Sequence, residues 1–199
     1  MNFSCTSIGQ GRLCTRTHDG FTLLEMMVTV TIAGVLAAIA IPSFTTTVRN
    51  NRMAAVTNEL TTALTLARTE AIKRSTQVIV CRSANATAAT PTCVPSGGGG
   101  WEVGWVVYAD VDNSGSFNTG DLVINRHDAI PGGITITGSN NVVNRVIFRP
   151  QGIVTQGSFG SFDFEDGRPA PDGSQLLCLP VTGRARLAVP ASDGTLSCT

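Results

Sequence analysis

The chain has 199 residues, of which 42% are hydrophobic and only 14% are charged. Its 14 basic and 14 acidic side chains cancel, which excludes a strongly basic nucleic-acid protein as a description of the whole chain but leaves room for a local basic patch. Lys73 is the only lysine, and His18 and His127 are the only histidines, which argues against Schiff-base or P-loop chemistry and against a multi-histidine metal site.

The first predicted element is a long apolar helix. Residues 21–41 contain one charged side chain, Glu25, and as an α-helix they would span roughly 31 Å, about one hydrocarbon core. The polar segment before them carries Arg12 and Arg16, so we predict a membrane-inserted helix with a positive cytoplasmic flank. A secretory signal peptide cleaved near Ala38–Ala40 is the alternative, but the apolar run is long for one and contains a carboxylate.

Glu25 needs a positively charged partner, because an acidic group inside a membrane span costs on the order of a few kcal/mol. Cleavage after Gly20 would create a new α-amine on Phe21, four residues before Glu25. In a packed array of such helices, the amine of one subunit could neutralise Glu25 of another. A charge tolerated near the membrane interface is the alternative interpretation.

The six residues Gly20–Glu25 resemble the prepilin peptidase site of type IV pilins and type II secretion pseudopilins. In that family the peptidase cuts after the glycine, the new N-terminal phenylalanine is N-methylated, and the glutamate guides assembly into a helical filament. The resemblance implies these roles for Gly20, Phe21 and Glu25, and a helix kink at Pro42. The leader departs from the family pattern because it contains two cysteines and an acidic residue close to the cut.

Removal of residues 1–20 leaves four cysteines, with 12 basic and 13 acidic side chains, in the part expected to face the periplasm. That compartment is oxidising, so disulfides are favoured. Four cysteines allow three pairings, and proximity in the sequence favours Cys81–Cys93 and Cys178–Cys198. The second bond would close a loop of about 20 residues, worth roughly 3 kcal/mol on the chain-entropy model. A zinc site is the alternative, although no Cys-x-x-Cys pair supports it.

After Pro42, apolar residues recur at intervals of three and four, which predicts an amphipathic helix packed on a globular domain. This stripe consists of Met53, Val56, Leu60, Ala63 or Leu64, Ala67 and Ala71. Short strands separated by turn residues are predicted at Thr76–Arg82, Trp101–Asp110, Val123–Arg126, Ile134–Thr137, Val142–Phe148, Ser161–Phe164, Gln175–Val181 and Arg184–Val189.

One long helix followed by many short strands predicts an α+β fold with antiparallel sheet. Residues 104–121 and Phe148–Gly152, together with the cysteine-flanked C-terminus, resemble the group of minor pilins and pseudopilins that contains FimT and GspH. Members have a long kinked helix packed on a β-sandwich-like head. The expected organisation is a cleaved leader, a transmembrane and filament-core helix, an amphipathic helix and a β-rich periplasmic head, at residues 1–20, 21–42, 43–74 and 75–199.

An acidic segment, Asp110–Asp121, has the oxygen-ligand spacing and central glycine of a calcium loop. The candidate ligands are Asp110, Asp112, Ser114 and Asp121. The flanking residues are predicted as strands rather than the helices of an EF-hand, and Asp, Asn, Ser and Gly also form ordinary β-turns. We favour the turn and keep the calcium loop as the alternative.

An arginine motif, Gly183–Arg186, follows the predicted hairpin turn at Thr182–Gly183. Alternation along a strand would place Arg184 and Arg186 on one face, roughly 7 Å apart, which suits neighbouring phosphates. The opposite face of this strand would be directed toward a core, and it consists of Ala185, Leu187 and Val189.

The arginine motif resembles the Gly-Arg-x-Arg element of DNA-binding FimT-type pilins from naturally transformable bacteria. The resemblance implies that Arg184 and Arg186, after Gly183, hold the DNA backbone without reading its sequence. A solvated edge strand, kept from pairing by its charge, is the alternative.

Three functions fit these observations. The first is a minor type IV pilin near a pilus tip that captures DNA for natural transformation; the second is a structural type II secretion pseudopilin that binds no DNA. The third is a membrane-anchored periplasmic binding module. We expect no enzymatic activity, no cofactor and no metal. The expected partners are other pilins in a filament, the prepilin peptidase, the inner membrane before assembly, and DNA.

Overall fold

The computed structural model describes residues 3–8, 11–16, 20–94, 99–139, 141–189 and 195–198. The chain forms two compact units, Met1–Thr47 and Val48–Thr199. In the first unit, strands β1 (Phe3–Ile8) and β2 (Gly11–Arg16) pair in antiparallel register. We call the second unit the head.

Helix α1 extends over 52 residues, Leu23–Arg74. The predicted membrane helix and the predicted amphipathic helix are therefore one continuous element that passes through Pro42 without a break, and the kink there stays a prediction. The N-terminal part of α1 is long and apolar enough to cross a membrane, and none of that window is buried.

The head contains two antiparallel four-stranded sheets. The first has the strand order β5-β4-β3-β7 and the second has the order β10-β9-β8-β6. The first sheet consists of β3 (Gln77–Arg82), β4 (Trp105–Asp110), β5 (Leu122–His127) and β7 (Arg145–Phe148). The second consists of β6 (Thr135–Gly138), β8 (Gly160–Glu165), β9 (Ser174–Leu179) and β10 (Arg186–Leu187).

One hydrophobic core joins α1 to both sheets. The predicted helix stripe is confirmed: Met53, Val56, Leu60, Ala63, Leu64, Ala67 and Ala71 are all buried in this core. Side chains from the first sheet, such as Val80 and Val107, meet Phe162 and Leu177 of the second. Among the described residues this core lies entirely within the head. The α+β prediction is therefore confirmed.

Both predicted disulfides are present, Cys81–Cys93 and Cys178–Cys198. Cys81 lies on β3, at the centre of the first sheet, and it is buried in a smaller cluster on the face opposite the main core. Cys178 lies on β9 and connects that strand to the C-terminal segment.

The strand predicted over Trp101–Asp110 is wrong at its start. Residues Trp101–Val103 form a 3₁₀ helix, and Gly104 has φ +108°, which an extended strand does not adopt. Trp101 is buried instead, and its Nε1 donates a hydrogen bond of 2.9 Å to the Val142 carbonyl. Side-chain burial, rather than strand pairing, thus determines the position of Trp101.

Three other strand predictions are too long. The strand expected over Gln175–Val181 ends at Leu179, and a turn closed by the hydrogen bond from Gly183 to the Pro180 carbonyl follows it. The strand expected from Val142 begins at Arg145, because the N–H of Val142 donates to the Ser139 carbonyl in a turn (2.8 Å). The strand expected over residues 184–189 is reduced to β10, where Leu187 is 49% and Val189 is 82% exposed. Core contact was therefore predicted wrongly for these two side chains, whereas Ala185 does pack against the core.

Candidate functional site

Residues 20–22 are exposed and lie outside regular secondary structure, directly before the first turn of α1. Nothing lies within 4 Å of the position a Cβ would occupy at Gly20, so the backbone there is open to an enzyme. Thr22 caps the helix: its Oγ1 accepts a hydrogen bond from the N–H of Glu25 (3.2 Å), and its carbonyl accepts one from Met26 (3.2 Å). Glu25 therefore lies in the first turn, where the helix dipole favours a carboxylate.

The described side chains from Phe21 to Ile41 are all exposed, and Phe21 itself is 79% exposed. An apolar surface this long is not stable in contact with water. Lipid or the apolar helices of other subunits would cover such a surface.

The second candidate feature is the arginine turn, which we define as residues Pro180–Arg186. The N–H of Gly183 donates to the Pro180 carbonyl at 2.9 Å, and Gly183 is buried with φ +71°. A Cβ at this position would lie 2.6 Å from the Gly152 carbonyl oxygen and 3.1 Å from Cε1 of Phe148. Glycine is required both by the left-handed backbone conformation and by the close contact.

A neighbouring turn and helix α1 hold the arginine turn in place. Arg68 of α1 donates from Nε to the same Gly152 carbonyl at 2.8 Å. The N–H of Val154 donates to the Val181 carbonyl at 3.0 Å, so the residue that follows the turn at 149–153 is bonded to the arginine turn. These contacts help to fix the base of the arginine turn.

Strand pairing fixes the far end of the arginine turn. Arg186 pairs with Cys178 of β9, which in turn pairs with Ser161 of β8, so these three side chains share one face of the second sheet. Arg184 lies before β10, and the alternation that predicted a shared face for the two arginines therefore does not extend to it. Both arginines are exposed, as phosphate contacts would require.

The family described as type II transport protein GspH matches residues 56–187, about two thirds of the chain. The chain belongs to the GspH family. The prokaryotic N-terminal methylation motif also matches, over residues 15–41, a range that contains Gly20–Glu25 and the apolar part of α1. No curated protein matches this GspH-family chain.

Two crystal structures of the type IV minor pilin FimU from Pseudomonas aeruginosa strain PAO1 share the fold of this GspH-family chain. The TM-scores are 0.55 and 0.52 at 20% identity. The alignments cover 75% and 73% of this chain and 97% and 99% of the FimU chains. At this identity the likeness establishes the fold, a long helix packed on antiparallel sheets.

Three carboxylates meet at the end of β4, where one oxygen of each lies within 4.8 Å of the others. They belong to Asp110, Asp112 and Asp121. Each of their six carboxylate oxygens accepts at least one hydrogen bond; the donors include the N–H groups of Ser114 and Asn118, and all the bonds are 2.9–3.0 Å long. Burial raises the pKa of Asp110, whereas the N–H of Ser114 lowers the pKa of Asp112. This acidic turn, residues 110–121, uses its carboxylates to order the backbone, as the turn interpretation expects.

Sequence reasoning gave no role to two residues that support the arginine turn. Gly152 was noted only as part of the segment Phe148–Gly152, and Arg68 only as a member of the amphipathic helix. Their contacts join positions 84 residues apart. The glycine in Phe148–Gly152 was the available signal, since a glycine next to a turn often marks a close backbone approach.

Proposed function

We propose that this chain is a minor type IV pilin that is anchored in the inner membrane by residues 21–42, has its head in the periplasm, and then enters a pilus near its tip. The N-terminal methylation motif and the exposed apolar helix support this assignment. Prepilin peptidase cuts between Gly20 and Phe21, and a methyltransferase modifies the new amine. In the filament that amine neutralises Glu25 of a neighbouring subunit.

Mass spectrometry of the cellular protein tests the processing step. The expected amino terminus is Phe21 bearing one methyl group. An intact leader would contradict both the cleavage and the filament assignment, and would favour a membrane-anchored binding module. Replacement of Glu25 by Gln is expected to leave cleavage unchanged but to reduce incorporation into sheared pili, because the partner of the amine is lost.

The proposed task of the pilin is DNA capture, and the fixed, exposed arginine turn is the observation that carries it. Arg184 and Arg186 lie in a segment whose backbone is bonded to Val154 and paired with β9, and the Cys178–Cys198 bond closes the loop that contains it. Guanidinium groups placed in this way contact phosphates at low entropic cost. Binding is then independent of sequence, because phosphates carry no sequence information.

A double substitution, Arg184→Gln with Arg186→Gln, tests DNA capture in the full-length protein in a nonionic detergent. We expect duplex affinity to fall at least tenfold. The slope of log affinity against log salt should become shallower by about 1.8, since each lost phosphate contact removes about 0.9. The matched control, Arg49→Gln with Arg126→Gln, removes the same charge elsewhere on the head. Equal losses for both pairs, or no loss for either, would refute the DNA role.

A type II secretion pseudopilin is the second candidate, favoured by the description of the matching family. In that role the head is structural and binds no DNA. Deletion of the gene separates the two roles. If the deletion abolishes secretion but leaves pili and DNA binding intact, the pseudopilin role is favoured over the pilin role.

A further inference from the structure

A cleft of about 250 Å³ lies beside the arginine turn, on the second sheet. Its lining includes Phe159, Pro180, the Cys178–Cys198 disulfide and Arg186. Phe159 directly precedes β8 and remains 39% exposed although it is aromatic. An aromatic side chain that is only partly covered, next to a disulfide and a proline, gives the cleft an apolar wall.

The strand register explains why a charge lies next to this apolar wall. Arg186, Cys178 and Ser161 occupy one cross-strand row, so the guanidinium of Arg186 projects from the same face as the disulfide. Ser161 adds a hydroxyl, and it also lines the cleft. Apolar surface, a hydroxyl and a cation therefore meet within one small concavity.

We propose that this cleft binds a nucleobase from single-stranded DNA while Arg184 and Arg186 hold the adjacent phosphates; the inference rests on the proposed DNA binding. A nucleotide joins a flat ring to a phosphate, which matches an aromatic wall next to a guanidinium. The volume of the cleft, about 250 Å³, is smaller than the roughly 300–1,000 Å³ that is typical of sites for drug-sized ligands. A cleft of this size suits one ring system. In an intact duplex the bases are stacked and unavailable, so the cleft favours single strands.

The test compares three fluorescent DNA probes with the full-length protein in a nonionic detergent at one salt concentration. The probes are a 20-nucleotide single strand, an abasic strand of the same length and charge, and a 20-base-pair duplex. Stacking of one base on an aromatic side chain corresponds to about a 5- to 150-fold change in affinity. We therefore expect the base-bearing strand to bind at least fivefold more tightly than the abasic strand.

The substitution Phe159→Ala should remove that advantage and leave abasic and duplex binding unchanged. Leu122→Ala is the matched control, since Leu122 is an exposed apolar residue (47%) outside the cleft. If Phe159→Ala fails to fold in a thermal melt, Phe159→Leu keeps the apolar contacts and removes the aromatic face. Equal affinity for base-bearing and abasic strands, or an equal loss for all three probes, would overturn the nucleobase site.

The two proposals fail in different ways. If none of the probes binds, or if the Arg184→Gln and Arg186→Gln pair leaves their affinity unchanged, both the DNA function and the nucleobase site are wrong. If all three probes bind with equal affinity and the arginine pair weakens them all, the DNA function stands and only the nucleobase site is wrong.

Discussion

Substitution of Gly183 by alanine should destabilise the head through two separable effects. Gly183 has φ +71°, and an alanine in the left-handed region costs about 1–2 kcal/mol. The added Cβ would also lie 2.6 Å from the Gly152 carbonyl oxygen, which is backbone and cannot rotate away. Moving that turn should cost roughly another 1–3 kcal/mol, as for other overpacked sites. The expected total is about 2–5 kcal/mol.

Urea denaturation of the head, Val48–Thr199, measures this loss, since the main core lies within that unit. Gly133→Ala is the matched control: Gly133 has φ +79° and nothing within 4 Å of its Cβ position, so it bears only the backbone cost. Gly183→Ala should be less stable than Gly133→Ala by about 1–3 kcal/mol. It should also weaken the proposed binding to DNA, because the arginine turn would shift. Equal stability of the two variants would refute the argument from contact with Gly152.

Three further outcomes are expected for the head. Cys178→Ser with Cys198→Ser should cost about 3 kcal/mol for a 20-residue separation, seen as a fall of roughly 6–12 °C in Tm; an unchanged Tm would contradict the chain-entropy argument. Hydrogen bonds from Arg168 lower the pKa of Asp166, so its contribution to stability is present above the ordinary carboxyl pKa and is lost as the pH falls through the lowered one. Asp166→Asn should therefore destabilise the head at pH 7 and progressively less as the pH falls below the ordinary carboxyl pKa, as followed by thermal melts over a pH series; an effect that stays constant through the series would count against the ion pair. Because the carboxylates of the acidic turn already bond to the backbone, exchange of EDTA for 1 mM calcium should shift Tm by less than about 2 °C, whereas a rise of several degrees would favour the calcium loop.

Local patterns predicted the features that depend on residues close together in the chain. The Gly20–Glu25 motif, the stripe along α1 and the two disulfides each follow from contiguous residues or short spacings. The helix stripe was recovered completely because burial of one helical face depends on a period of three to four, which the sequence shows directly. The N-terminal cap at Thr22 also depends on neighbouring residues, although it was not predicted.

The sequence did not predict the contacts between elements that lie far apart in the chain. The close approach of Gly183 to Gly152 and Arg68 depends on how three separate elements pack. Gly152 is a local signal of close approach, but it does not indicate which element approaches it. Strand ends were misjudged for a related reason: Trp101 has a high strand propensity, but burial of its ring and the unusual φ of Gly104 determine the backbone there.

The cap at Thr22 has a consequence for maturation. Thr22 accepts the first hydrogen bonds of α1, and the N–H groups of Glu25 and Met26 donate them. A cut before Phe21 therefore removes no part of the helical scaffold. In the proposed maturation the subunit would therefore leave the peptidase with its N-terminal helix already formed, and a new α-amine would be added at its tip.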